Sequence, residues 1–422
     1  MKRLAAILVL FLTTHPSFAQ EKITLEKCYQ LVAKNYPLAK QALLMEAQNK
    51  LDTDIISNSK LPQVSLNAQA TYQSDVVEIP IPNANIEPLN KDQYRATLTV
   101  NQLIYNGGLT TASLNVKLAQ LKTKQKQIEV NLYQLKQQVN QLYFSILLSQ
   151  EAIVLISSKQ AKLQAKHKEI KSGIKHGVIL PSSDIILEAE LLKINQQLQE
   201  LESNKLSLIE TLSSLIAQPL TSTTLFQNPF IELNLEEALN RPELDFFQLK
   251  KEEIENSKSL ISKKNTPKLF GFATGGYGNP GLNMLDNSFQ PFYTVGVKLN
   301  WSVFDWNTNK IEQKSLAINK KIIDNEVEVF MLNTHIALRK QQKKIEKIKA
   351  IITSDKKIVN LRKEVLKTAS SQLKNGVITS SAYVTELTNL YESENTLIRH
   401  NIELQLAKAN YNVIKGQKKI NK

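Results

Sequence analysis

The chain has 422 residues and a single cysteine, Cys28, so no disulfide closes within it. Cys28 sits in LEKCYQLVAKNYP, which reads as a buried helical position and not as a reactive thiol. Glycine and proline are scarce, 12 and 13 residues, and both are absent from 109 to 172 and from 309 to 375. Nothing in those stretches breaks a helix, and each is long enough for a rod of ~100 Å at 1.5 Å per residue. No apolar run reaches the roughly 20 residues that a helix needs to span a bilayer. Leu4 to Leu12 is a short apolar run, preceded by Lys2 and Arg3 and followed by Pro16, Ser17 and Ala19. That order predicts a signal peptide over 1–19, cleaved before Gln20. Without a helical span, any membrane crossing by the mature chain has to be a β-barrel.

Catalytic signatures are missing too. There is no HExxH, no paired cysteine, no GxxxxGK and no GxSxG. The five histidines are scattered, and GFATGGYGNPG (271–281) does not precede a helix as a phosphate-binding loop must. The residues therefore offer no metal set, no cofactor site and no catalytic group, and the chain reads as no enzyme. Formal charge is +14. The lysines are spread among Gln and Asn without aromatic interleaving, which is a solvated helical face and excludes a nucleic-acid partner.

What is present is said twice. Residues 94–177 run YRATLTVNQLIYNGG, a long polar helix, then KHG; residues 293–376 run YTVGVKLNWSVFDWNTN, a second such helix, then KNG. Gly177 and Gly376 lie 199 residues apart. Two copies of one unit imply internal pseudo-symmetry. The first repeat is read as 20–230 and the second as 231–422.

In the first long helix Leu114, Leu118, Leu121, Ile128, Leu132, Leu135, Val139, Leu142 and Ile146 alternate four- and three-residue spacing, a heptad seam that faces a partner helix. Gly173 and Gly177 supply the turn, and the chain restarts at Pro181. Hairpins are thus predicted over 109–218 and 309–417. Two shorter helices are predicted at 23–59, capped by Thr24 and broken at Pro37, and at 235–263.

Strands are predicted at about 61–73, 93–105, 267–277 and 291–304. Tyr94, Ala96, Leu98 and Val100 fall on one parity, and Arg95, Thr97, Thr99 and Asn101 on the other. Tyr293, Val295, Val297, Leu299 and Trp301 repeat this. One apolar and one polar face over about 10 residues is what a strand between lipid and a watery lumen requires. Four strands close no conducting barrel, since open edges are not tolerated in lipid. Copies of the chain must therefore combine. The residues fit an export duct; a coiled-coil envelope protein of structural or adhesive kind, which conducts nothing, is the other reading.

The junction NQLIYNGG (101–108), the tips GVILPSSDIILEAE (177–190) and GVITSSAYVTELTNL (376–390), and the helix–proline starts at Asn35-Tyr36-Pro37 and Asn240-Arg241-Pro242 resemble the TolC-like outer membrane efflux protein family. The resemblance covers essentially the whole mature chain. It implies a homotrimer with a twelve-stranded barrel in the Gram-negative outer membrane and a helical barrel in the periplasm. It also implies an adaptor protein in the periplasm and an inner-membrane transporter of RND, ABC or MFS type, in tripartite efflux or type I secretion. By the same resemblance the tips form the gated entrance, with Asp184, Ile378, Thr379, Ala382, Tyr383, Thr385 and Glu386 as gate candidates. Gly177, Val178, Gly376 and Val377 match the adaptor-contact segments. Tyr105, Asn106, Gly107 and Gly108 match the barrel-to-helix junction, with Trp301, Trp306 and Asn307 in the second copy. The family's tip carboxylate has its counterpart in Asp184, whereas the second hairpin has Ala382 there and Glu386 one turn further on.

Overall fold

The computed structural model describes residues 22–77, 88–177, 179–233 and 238–417. The expected signal peptide lies outside them, as do 78–87 of the first strand-connecting loop. Two compact units cut across the sequence repeats. One comprises Met1–Lys40, Glu129–Pro242 and Phe330–Lys422; the other comprises Gln41–Ile128 and Glu243–Val329.

In chain order the elements are β1 (Lys22–Ile23), α1 (Leu25–Asn35), α2 (Ala39–Asn58), β2 (Gln63–Tyr72), β3 (Asp92–Tyr105), α3 (Leu109–Lys175) and α4 (Ser182–Ile216). There follow β4 (Leu225–Phe226), α5 (Pro242–Lys264), β5 (Lys268–Asn279), β6 (Gln290–Asn300), α6 (Thr308–Lys374) and α7 (Ser380–Lys415). The long helices α3 and α6 are each 67 residues, as the absence of Gly and Pro predicts.

In the first unit, Thr24 caps α1 by accepting a hydrogen bond from the Lys27 N–H at 3.2 Å. The helix stops before Pro37, whose ring forces Tyr36 out of helical geometry at ψ 136°. Two elements escape sequence reasoning. β1 and β4, two residues each, pair in parallel, Lys22 with Leu225 and Ile23 with Phe226. They are too short to carry an alternation. They close over the apolar middle of α3, where Val139, Tyr143, Phe144, Ile146 and Leu147 are fully buried. Each such side chain is worth about 1.5–3 kcal/mol. The Tyr143 hydroxyl donates to the Gln227 carbonyl at 2.7 Å and lies 3.0 Å from that of Ile23, pinning both short strands. Among the described residues α3 is long and apolar enough to cross a membrane, but this middle segment is core.

The second unit holds a four-stranded antiparallel sheet in the order β2-β3-β5-β6. Its register aligns Val64, Val100, Ala273 and Val295 across all four strands. Ion pairs tie α5 to α6: Lys250–Glu326 at 3.0 Å, Lys320–Glu255 at 2.8 Å, Lys264–Glu312 at 2.7 Å, and Lys251–Asp324.

Two boundaries and one seam differ from expectation. Of the helix expected over 235–263, residues 235–237 lie outside the described residues, and the described helix begins at Pro242, because proline suits a first helical position and keeps Arg241 out of the helix. The strand expected to reach 304 ends at Asn300, where the chain turns to set up the α6 cap. The expected seam holds at Ile128, Val139 and Ile146, which are buried, but its start is rotated: Ala112 and Val116 are buried, whereas Leu118 is 47% exposed.

Candidate functional site

Three places carry the predicted residues: the helical tips in the first unit, and the sheet face and the strand-to-helix junction in the second. At the tips, Gly177 and Gly376 take left-handed φ of +72° and +70°, as each turn requires. Val377 projects, 68% exposed; Val178 lies outside the described residues. Beneath the turns, Ile156, Leu163 and Ile170 of α3, Leu187 and Ile194 of α4, Leu373 of α6, and Tyr383 and Leu387 of α7 form one core. Tyr383 is part of that core, and burial, with the Glu169 carboxylate second, pushes its phenol up. Ile378 packs against the same cluster.

Thr379 acts within its own helix, where its hydroxyl caps α7 by accepting from the Ala382 N–H at 3.2 Å. The Thr385 hydroxyl returns to the Ser381 carbonyl at 3.0 Å. Ile378, Ala382, Thr385 and Glu386 do converge, lining a groove of ≈ 750 Å³ with Leu361 and Val365.

The acidic candidates are engaged. Asp184 Oδ1 lies 2.6 Å from His167 Nε2 and 3.8 Å from Lys171 Nζ. Glu386 meets Arg362 at 3.3 Å. Two of the scattered histidines thus meet carboxylates, for His400 Nδ1 lies 2.6 Å from Asp355 Oδ2. Sequence reasoning missed Lys159, 5% exposed, whose ammonium meets Glu190 at 2.9 Å, donates to Thr388 Oγ1 at 3.3 Å and lies over the Tyr391 ring. A signal existed: Lys159 and His167 interrupt the spacing of Ile156, Leu163 and Ile170, where a seam wants apolar groups. Among the described residues, no group of three His, Cys, Asp or Glu side chains is placed to hold a metal ion.

The sheet is turned inside out relative to a water-soluble protein. On β3 the apolar parity, Tyr94, Ala96 and Leu98, is exposed, while Arg95, Thr97 and Thr99 are half-buried. On β6 Tyr293, Val295, Val297 and Leu299 are exposed. The Thr99 and Thr274 hydroxyls meet at 3.1 Å on the polar side, and the Arg95 guanidinium lies over the Phe292 ring. β2 and β6 are the free edges of the sheet.

At the junction, Tyr105 ends β3 and the Asn106 amide donates to Thr110 Oγ1 at 2.6 Å. Gly107 and Gly108 follow at φ +64° and +82°. Their equivalents one repeat later, Trp306 and Asn307, take φ +54° and +61°. Here an asparagine and a tryptophan hold the left-handed backbone that glycines hold in the first copy. Trp306 is 82% exposed and packs edge-on to Phe304. The Trp301 indole donates to the Asn265 carbonyl at 3.0 Å. Asp305 accepts from the Asn309 N–H at 3.0 Å, capping α6, and that bond, followed by one from the Asn265 side chain, holds its carboxyl below the usual range.

No protein-family model matches this sequence, and no curated protein matches it. Solved structures do. The Campylobacter jejuni CmeC outer membrane channel superposes with a TM-score of 0.63 at 15% identity, covering 93% of this chain and 85% of CmeC. The outer membrane protein VceC of Vibrio cholerae gives 0.65 at 13%, with 93% and 96% covered. The Neisseria gonorrhoeae MtrE outer membrane channel, in its open state, gives 0.64 at 14%, with 94% and 90% covered. Paired sheet strands, two equal long helices and two returning hairpins, over nearly the full length of each partner, give this chain the fold of these outer-membrane channel proteins.

Proposed function

We propose that this chain is one subunit of an export duct in the Gram-negative outer membrane, extending into the periplasm. The observation that carries the reading is the four-stranded sheet with an apolar exposed face, a polar opposite face and two free edges. Such a sheet is unsatisfied both in water and as a single copy in lipid. Pairing β2 of one copy with β6 of the next removes the edges and turns the apolar face to lipid. Three copies give twelve strands, within the range of bacterial barrels. Export needs no bond-making step here; selectivity follows from lumen width and charge.

The tips are the entrance in this reading. Gly177, Val178, Gly376 and Val377 meet the adaptor, and an inner-membrane transporter supplies the energy. Closure rests on groups that hold the two hairpins together, Tyr383 in the apolar core and Lys159 between Glu190 and Thr388. Asp184 and Glu386 are held by His167 and Arg362 within their own hairpins, which argues for a positioning role over a free acidic ring.

The test is planar-bilayer recording with purified, detergent-extracted protein. Discrete conductance steps that lengthen in open time when Lys159 is replaced by Met support a duct closed between its hairpins. Protein that inserts yet never conducts, as wild type or as Lys159→Met, sinks the duct and leaves the coiled-coil envelope protein.

A further inference from the structure

The polar face of the sheet carries charge of one sign. The strands β2, β3, β5 and β6 hold one carboxylate, Asp92, and three cations, Arg95, Lys268 and Lys298. Alternation and register place all three cations on the polar face, whereas Asp92 shares the parity of Tyr94, on the apolar one. Among the described residues none of the three cations has an ion-pair partner. The carboxylates just beyond the strand ends have other work. Asp286, in the β5–β6 loop, accepts from the Ser288 and Gln290 side chains, and Asp305 caps α6.

These cations stand at two levels. Arg95 is opposite Gly278, towards the strand-connecting loops; Lys298 is opposite Phe270 and Lys268 opposite Asn300, towards the helices. The step along β5 from Gly278 to Phe270 is about 27 Å at 3.4 Å per residue. Neutral hydroxyls occupy the wall between, Thr99 and Thr274 among them. Two phenylalanines of this face lie down on it. Phe272 is opposite Gly296, and Phe292 is opposite Gly276. A Cβ at Gly296 would fall 2.9 Å from Phe272 Cε1, and one at Gly276 would run into the Phe292 ring. Each ring thus fills the place of a missing side chain, and the face between the levels stays low. The Arg95 guanidinium lies over the Phe292 ring, 5.5 Å from its centroid, and donates to the Gly281 carbonyl at 3.4 Å. At the other level Lys298 is exposed. Each level pairs a cation with a phenylalanine.

We propose that the sheet section of the duct selects anions, and that its cargo is organic anions, molecules that join a carboxylate, sulfonate or phosphate to an apolar body. This rests on the duct reading above, which turns the polar face to the lumen. Closing the sheet with further copies repeats each level once per copy, so single cations become two collars. No carboxylate on the polar face of the strands cancels them. Rings of Arg or Lys favour anions in pores. Two collars with a neutral hydroxyl belt between them let an anion enter and move on, because binding is shared between sites. Cations are repelled at both levels, and the phenylalanines offer the apolar body a surface beside each charge. Arg95, Lys268 and Lys298 are the specificity-determining residues.

Reversal potentials of the purified protein across a KCl gradient in a planar bilayer test this. The wild-type chloride-to-potassium permeability ratio should exceed unity. It should fall towards unity as KCl rises from about 0.1 M to about 1 M and the screening length shrinks from about 10 Å to about 3 Å. Lys298→Gln, at an exposed position, should lower the ratio, as should Arg95→Gln. Arg95→Glu combined with Lys298→Glu should invert it. Naphthalenesulfonate should interrupt the wild-type current at lower concentration than methanesulfonate, and less effectively in Arg95→Gln. Three results overturn the inference while the duct stands: a wild-type ratio at or below unity, a ratio that both glutamine variants leave unchanged, or equal block by the two sulfonates. Protein that inserts without conducting overturns the duct, and this inference with it.

Discussion

At the scale of single residues, two glycines at one junction make a controlled comparison. Gly107 and Gly108 are both left-handed, so a side chain at either costs about 1–2 kcal/mol. A Cβ at Gly108 meets nothing, but at Gly107 it falls 1.9 Å from Thr266 Oγ1. Gly108→Ala should therefore cost about 1 kcal/mol and Gly107→Ala clearly more, about 2–4 kcal/mol, read as the shift in urea midpoint. Equal losses would mean that Thr266 moves aside freely. Cys28 offers a second check. Burial pushes its thiol up to about 12, so a maleimide at pH 8 should leave the folded protein unlabelled and modify it completely in denaturant. The buried cysteine and the glycine turns were legible, because chemistry and backbone freedom are properties of the residue itself. The left-handed Trp306 was not, since nothing in a tryptophan announces it.

Elements carry their own predictions. Leu98→Arg places a charge on the exposed apolar face of β3, where it costs about 2–4 kcal/mol at mid-bilayer, whereas Thr97→Arg faces the other side. Heat-stable oligomers recovered from outer membranes should fall sharply for the first and hardly for the second. Equal recovery would remove lipid from that face. Between α5 and α6, Glu255 has its carboxyl lowered first by the Lys320 hydrogen bond and then by that of Lys258. A lowered folded value stabilises above the ordinary glutamate range, and that contribution disappears as pH falls through the folded value. Glu255→Gln should therefore flatten the acid limb of the stability profile below about pH 4.5 and match wild type under strongly acidic conditions. Because Glu255 is exposed, solvent screening keeps the effect small. Long helices and alternating strands were legible since their periods extend over many residues. β1 and β4 were not, since two residues have no period; Tyr143 and the core beneath them decide their pairing.

For the molecule as a whole, the duplication was readable and its use was not. The sequence announces two copies of one hairpin but not that the middle of the first copy's long helix is buried more deeply than the equivalent stretch of the second. That difference lies in side chains: Leu148 of α3 packs against the core, and its equivalent on α6 is the exposed Lys347. Likewise Asp184 was legible as a tip carboxylate, but its partner His167, on the neighbouring helix, is fixed only by the hairpin's register.

The equal length of α3 and α6 has a consequence for how such a chain changes over time. One residue inserted into either helix turns everything beyond it by about 100° and moves its apolar strip off its neighbour. Seven residues bring the strip nearly back, but only if both helices gain them, since the two tips share one core. Lengthening this protein is therefore a paired event, and lineages with longer helices should differ by whole heptads, added in duplicate.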